Sequence, residues 1–75
     1  MKRIVLNIDH DATFEHCQGK VPPVLRFVVR TDKICGCQEM LDRSVKVTID
    51  QGESRPIMSV VVLESFEHVA SAMME

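Results

Sequence analysis

The residues of this chain with the most chemistry to offer are three cysteines and three histidines. Cys35 and Cys37 flank a single glycine in the segment KICGCQ, and the third cysteine, Cys17, directly follows His16. Zn²⁺ in structural sites takes four ligands of the Cys or His type. A small domain also gains folding free energy from such a metal. The sequence therefore offers a candidate zinc site made of Cys17, Cys35, Cys37 and His16, with His10 as the alternative histidine.

The spacing of the paired cysteines favours a simpler interpretation. C-x-C is not the usual C-x2-C spacing of zinc sites. If the segment is extended, Cys35 and Cys37 lie on the same side of it, because side chains alternate with a period of two. Reduced cysteine is also one of the most buried residue types and packs as a small apolar side chain. We expect packing to be the role of these cysteines, with zinc binding as the first alternative and redox chemistry as the second.

The acidic and histidine-rich segment DHDATFEH (9–16) matches no motif with a known mechanism. We expect a helix cap and a solvated loop there, since Asp is a preferred N-cap residue. No nucleophile motif, phosphate-binding glycine loop or pair of catalytic carboxylates is recognisable in the sequence. Catalysis needs a concave pocket that excludes water, and 75 residues leave little room for one. We therefore expect a protein that is not an enzyme.

Length and composition predict one small domain spanning residues 1–75. The net charge is −2 and the basic residues are scattered, which disfavours nucleic acid as a partner. The longest apolar run is 60–63, far short of the roughly 20 residues of a membrane span. The N-terminus lacks the long apolar stretch of a signal peptide. We expect a cytoplasmic protein with reduced cysteines.

Hydrophobic periodicity predicts an α+β fold. Apolar and polar residues alternate with the period of a β-strand in segments 3–9, 24–30 and 44–50, and the largely apolar segment 56–63 is predicted to be a fourth strand. The 33–38 segment is predicted to be a short, irregular strand. A short helix is predicted at 12–18, capped by Asp11, closed by Gly19 and with Phe14 and Cys17 on one face. A C-terminal helix capped by Ser65 is predicted to pack on one face of an antiparallel sheet of about four strands, and 50–54 is predicted to be a hairpin loop.

The fourth predicted strand is apolar on both faces, and such a strand must be covered on both sides. Its two sets of apolar residues are Met58, Val60 and Val62, and Ile57, Val61 and Leu63. Leaving such a side chain exposed forgoes roughly 1.5–3 kcal/mol, against a total stability of about 5 kcal/mol. One terminal helix covers only one face, so we expect a partner chain. A homodimer is the simplest solution, and a sheet curled into a small barrel is the alternative.

These expectations together favour a small non-catalytic regulator or inhibitor that binds a protein and acts by covering its surface. Such single domains are typical of accessory proteins encoded by phages or mobile elements. The alternatives are a zinc-stabilised Cys/His module and an oligomeric protein that binds a small anion in a pocket at the subunit interface. Arg26 or Arg30 would contact the anion, and both could share the outer face of a sheet with Lys46. The carboxylates expected to meet a basic partner are Asp9, Asp11, Glu15, Asp50, Glu53, Glu64 and Glu67.

Overall fold

A computed structural model describes residues 2–52 and 55–74, and it confirms the α+β class. Strands β1 and β2 form one antiparallel sheet, and β3, β4 and β5 form a second. Helix α1 follows β1, and helix α2 follows β5. The elements are β1 (Arg3–Asn7), α1 (His10–His16), β2 (Arg26–Arg30), β3 (Ile34–Glu39), β4 (Val45–Ile49), β5 (Met58–Val62) and α2 (Phe66–Met73).

The two sheets meet at one antiparallel bridge between Ile8 and Val62. Two backbone hydrogen bonds flank it: Asp9 N donates to Val61 O (2.9 Å), and Leu63 N donates to Asn7 O (2.8 Å). The contact stops there because the chain leaves the strand and enters α1. Where the sequence predicted a single sheet of about four strands, the chain thus forms two sheets that share this seam. The irregular 33–38 segment supplies the additional strand, β3.

The core lies between the inner faces of both sheets and α2. The alternation of buried and half-buried residues along β4 confirms the predicted faces of that strand. Helix α2 contributes Val69, which is fully buried, and half-buried side chains from its first and last turns. The buried cluster consists of Ile4, Leu6, Ile8, Ile34, Val45, Val47, Ile49, Val60, Val62 and Val69.

Strand β5 is buried on both faces by its own chain, which corrects the expectation that it could not be. Val60 and Val62 belong to the core, while Val61 on the opposite face is only 1% exposed. Helix α1 folds back over that second face and places Thr13 there, fully buried. The argument for a companion chain from this strand therefore fails. Ile57 and Leu63, which flank the strand, are exposed.

Helix α1 begins earlier than predicted because Asp9, not Asp11, caps it. The Asp9 carboxylate accepts a hydrogen bond from Ala12 N (3.1 Å), which satisfies one of the free N–H groups at the helix start. Asp11 is exposed in the first turn. Phe14, which was predicted to share a helix face with Cys17, is 63% exposed.

Two predicted end residues of the helices are confirmed. Helix α1 ends at His16, two residues earlier than predicted, and Gln18 and Gly19 then adopt left-handed φ values of +57° and +80°. The Gly19 N–H donates to Phe14 O (3.0 Å) and closes the helix as predicted. Before α2, the Ser65 hydroxyl accepts from His68 N (3.1 Å). In the loop between β4 and β5, Gly52 has a φ of +113° as predicted. The other predicted loop residues, Glu53 and Ser54, lie outside the described part of the chain.

Candidate functional site

The C-x-C segment lies in β3 and contains a β-bulge. Ile34 pairs with Ile49 of β4, but the next pair is Gly36 with Thr48, so Cys35 is the additional residue. The bulge shifts the alternation by one position, because two residues on one strand then oppose one on the other. Cys37 therefore lies opposite the buried Val47 and packs against the core, whereas Cys35 is exposed. The two thiols do not share an environment.

The candidate zinc ligands lie in three places. His16 and Cys17 stand at the end of α1, Cys37 contacts the core, and Cys35 is exposed on the bulge. Burial raises the pKa of the Cys37 thiol, because a thiolate would be poorly solvated there. Within residues 2–52 and 55–74, no three His, Cys, Asp or Glu side chains form a group suited to a metal ion. The four predicted ligands thus do not meet, and zinc binding stays a prediction.

The histidines near α1 bind other parts of the chain. The His10 ring donates from Nε2 to the Val24 carbonyl (2.7 Å), which ties the start of α1 to the segment before β2. His16 Nε2 donates to the Asp42 carboxylate (3.0 Å) in the turn between β3 and β4. The Ser44 backbone N–H, the Ser44 hydroxyl and then His16 lower the pKa of Asp42 to about 2. These contacts hold α1 and its neighbouring loop against the sheet.

A cleft of about 480 Å³ opens beside the end of α1. The loop that follows α1 lines one side, and the β4–β5 connection lines the other. The cationic side chains in its lining are Lys20, from the loop, and Lys46, from β4. We call this feature the basic cleft. No pattern in the sequence predicts that these two lysines meet, because they are distant in the chain and belong to different elements.

A second feature, the outer face of β1 and β2, combines apolar and cationic side chains. Val5 lies directly opposite Val28, and the two are 47% and 60% exposed. Arginines flank this pair: Arg3 opposite Arg30 on one side, and Arg26 opposite an asparagine on the other. We call Arg3, Val5, Arg26, Val28 and Arg30 the valine–arginine face. Lys46, which was expected to share a face with Arg26 and Arg30, lies instead in the basic cleft.

Strand β2 is an edge of its sheet in the part of the chain that the structure describes. Ile8 N donates to Leu25 O, and Thr31 N donates to Lys2 O, each at 3.0 Å. Hydrogen-bonded and non-hydrogen-bonded pairs alternate along an antiparallel ladder. Leu25 and Thr31, which flank β2, therefore belong to the set of residues that bond to β1. The backbone groups of the alternate set, Arg26, Val28 and Arg30, point toward the open edge of β2.

Several carboxylates expected to meet a basic partner make hydrogen bonds inside the chain. Asp9 caps α1, and Asp50 accepts from Gly52 N (2.9 Å). Glu64 accepts from both the backbone and the side-chain amide of Asn7, at 2.8 and 2.7 Å. These groups stabilise turns and the seam between the sheets. Another of the expected carboxylates, Glu53, lies outside the described residues.

Comparisons with protein-family models, curated proteins and solved structures found no match for this chain. Within the described residues, no helix has both the length and the apolar character needed to cross a membrane.

Proposed function

We propose that the protein is a small, non-catalytic regulator or inhibitor that binds another protein through the valine–arginine face and covers part of its surface. The observation that carries the proposal is the exposed cross-strand pair Val5–Val28. The pair occupies the non-hydrogen-bonded type of position, in which side chains lie closest together. Two adjacent exposed valines form a continuous apolar surface beside the open edge of β2. The side chains of a partner strand added at that edge can contact it.

The charges around the valines favour an acidic partner. Arg30 is paired with Asp32 through two hydrogen bonds of 3.1 and 2.7 Å. Arg3 and Arg26 make no ion pair among the described residues and remain available for carboxylates. An arginine guanidinium can bind a carboxylate through two parallel hydrogen bonds. The partner expected here is therefore a protein segment that is apolar at its centre and acidic at its ends.

The open edge of β2 gives this partner a mode of attachment. The backbone groups of Arg26, Val28 and Arg30 point to that edge, and their side chains lie on the valine–arginine face. An extended partner segment can add as a further strand, with backbone hydrogen bonds for affinity and side-chain contacts for specificity. A second copy of this chain fits the same edge less well. Pairing β2 with β2 in full register places Arg26 of each copy opposite Arg30 of the other, and like charges directly opposite destabilise a sheet.

The proposal is tested by affinity capture from an extract of the source organism. Val28→Asp places a charge at the centre of the face, and we expect it to weaken partner binding at least tenfold, as buried interface positions do. Leu41→Asp is the matched control, because Leu41 is fully exposed in the turn between β3 and β4. If both variants capture the same proteins with the same yield as wild type, the proposal is wrong.

Charge reversal provides a second variant that leaves the valines in place. Arg26→Glu should weaken capture and reduce its dependence on salt, whereas Arg55→Glu, at an exposed position between β4 and β5, should not. Native mass spectrometry of the purified chain shows whether the partner is a second copy of this chain or a different protein. A dimer that Val28→Asp dissociates would assign this face to a second copy and contradict the heterologous partner.

A further inference from the structure

We propose that the basic cleft binds a small amphipathic anion, an aliphatic chain that ends in a carboxylate or phosphate group. This site is separate from the valine–arginine face and does not depend on the proposed function. It also lies within one chain, unlike the pocket at a subunit interface that the sequence suggested. Its volume of about 480 Å³ is in the range of small-ligand sites.

The positive charge of the basic cleft is not neutralised by its own lining. Lys20 and Lys46 line it, and no carboxylate belongs to the lining among the described residues. Neither lysine makes an ion pair in residues 2–52 and 55–74. The neighbouring His16 already donates to Asp42. An anion is therefore the group whose binding these uncompensated charges favour.

Lys46 is held in place by the sheet. It lies on β4, directly between Gln38 of β3 and Val61 of β5, and it is half-buried. Its aliphatic stem can pack along the outer face of the sheet while the ammonium group reaches the cleft. Lys20 approaches from the loop after α1, so the two cations enter the cleft from different elements. An anionic head group bound in the cleft is attracted by both charges.

Half of the remaining lining residues are aliphatic. Its apolar side chains come from both sides of the cleft, and Ile57 among them is 60% exposed, so that a bound chain would bury surface that water now contacts. Besides the imidazole of His16, the lining contains no aromatic ring among the described residues, so a nucleobase would find little to stack on. The aliphatic residues of the wall are Val21, Pro22, Pro56, Ile57 and Met58.

Binding is tested by NMR titration of the whole chain with octanoate and, separately, with octyl phosphate. We expect either anion to shift the amide signals of Lys46, Ser59 and Val21, and the tighter of the two identifies the head group. Acetate and octylammonium should have little effect, because the first lacks the aliphatic body and the second has the wrong charge. No shift with either amphipathic anion at millimolar concentration, or equal shifts with octylammonium, overturns the proposal.

Variants assign the binding to the lysines. Lys46→Gln should raise the octanoate or octyl phosphate Kd about tenfold, since hydrogen bonds to charged groups are of that strength. Lys20→Gln, on an exposed loop, should weaken binding in the same direction without affecting the core. Lys33→Gln is the control, because Lys33 lies in the turn before β3 and outside the cleft. If the two cleft variants bind as tightly as the control, the lysines do not form the site.

Thiol alkylation gives an independent measurement. Cys17 lines the cleft and Cys35 is exposed on the β3 bulge. The tighter-binding anion should slow the reaction of Cys17 with iodoacetamide at least several-fold and leave Cys35 unchanged, as read by mass spectrometry of the peptides. Equal rates at Cys17 with and without a ligand that binds by NMR would place the ligand elsewhere and contradict the proposal.

Discussion

Thr13 connects α1 to β5 in a way that can be tested directly. Its side chain is fully buried, and its hydroxyl makes two hydrogen bonds with the backbone of Val61. It donates to Val61 O (3.1 Å) and accepts from Val61 N (2.9 Å). The backbone N–H of Asp9, just before α1, also donates to Val61 O (2.9 Å). Where β1 turns into α1, the Thr13 hydroxyl therefore takes over as the hydrogen-bond partner of β5.

Replacing Thr13 by valine keeps the shape of the side chain and removes the hydroxyl. Val61 O keeps the bond from Asp9, but Val61 N loses its partner in a position that is 1% exposed. A buried N–H without a partner costs about 1–3 kcal/mol. Against a total stability of about 5 kcal/mol for a small domain, we expect Thr13→Val to lower the free energy of unfolding by about 2 kcal/mol.

Thr13→Ser is the matched control, because it keeps both hydrogen bonds and loses only a methyl group. That loss costs about 1 kcal/mol. Urea unfolding followed by far-UV circular dichroism suits the comparison, since the chain has no Trp or Tyr for fluorescence. With a urea m-value of about 1 kcal/mol per M, the midpoint of Thr13→Val should fall by about 2 M and that of Thr13→Ser by about 1 M.

Amide hydrogen exchange locates the effect. In Thr13→Val the Val61 amide should exchange faster, relative to the other buried amides of β5, than it does in wild type. In Thr13→Ser the relative order should be unchanged. If Thr13→Val is as stable as Thr13→Ser and the Val61 amide keeps its relative protection, the hydroxyl does not hold α1 on the sheet and the reasoning is refuted.

Two further predictions concern local contacts. Because hydrogen bonds to Ser44 and His16 lower the folded-state pKa of Asp42 from 3.8 to about 2, its contribution to stability is present above pH 3.8 and is lost as the pH falls toward 2. Asp42→Asn should therefore flatten the pH dependence of the urea midpoint over that interval, and a slope identical to wild type would contradict the assignment. Gly19→Ala should cost about 1–2 kcal/mol, since the φ of +80° strains any residue with a Cβ. Gly36→Ala, where a Cβ meets nothing within 4 Å, should change stability by less than about 0.5 kcal/mol, and equal costs at both positions would contradict this explanation.

The structure of the C-x-C segment was only partly predictable from the sequence. A short, irregular strand was predicted at 33–38, and the structure has an irregular strand at Ile34–Glu39. The position of the irregularity was not predictable, because a bulge depends on how β3 aligns with β4. That alignment places Cys37 against the core and leaves Cys35 exposed. Of Cys35 and Cys37, only Cys37 packs as a small apolar side chain, as was expected for both.

The two candidate binding surfaces differ in how far the sequence predicted them. The arginines and valines of β2 were already arranged by the period of the strand, so their common face followed from the sequence once β2 was recognised. The partner strand that places Val5 opposite Val28 was not evident. The basic cleft was entirely hidden, because Lys20 and Lys46 come from a loop and a strand that meet only after folding.

The sequence by itself determined the α+β class, the faces of β4, the Ser65 cap and the left-handed ending at Gly19. Each of these depends on hydrogen bonds, φ preferences or side-chain alternation within a few residues. Such local preferences are set by the types of the neighbouring residues. The tertiary structure alone decided how β5 is covered. The Thr13–Val61 contact joins residues 48 positions apart, and only the docking of α1 brings them together. Without that docking the valines of β5 indicated a partner chain, whereas with it Val61 is buried and the exposed valine pair of the fold, Val5 and Val28, lies on β1 and β2.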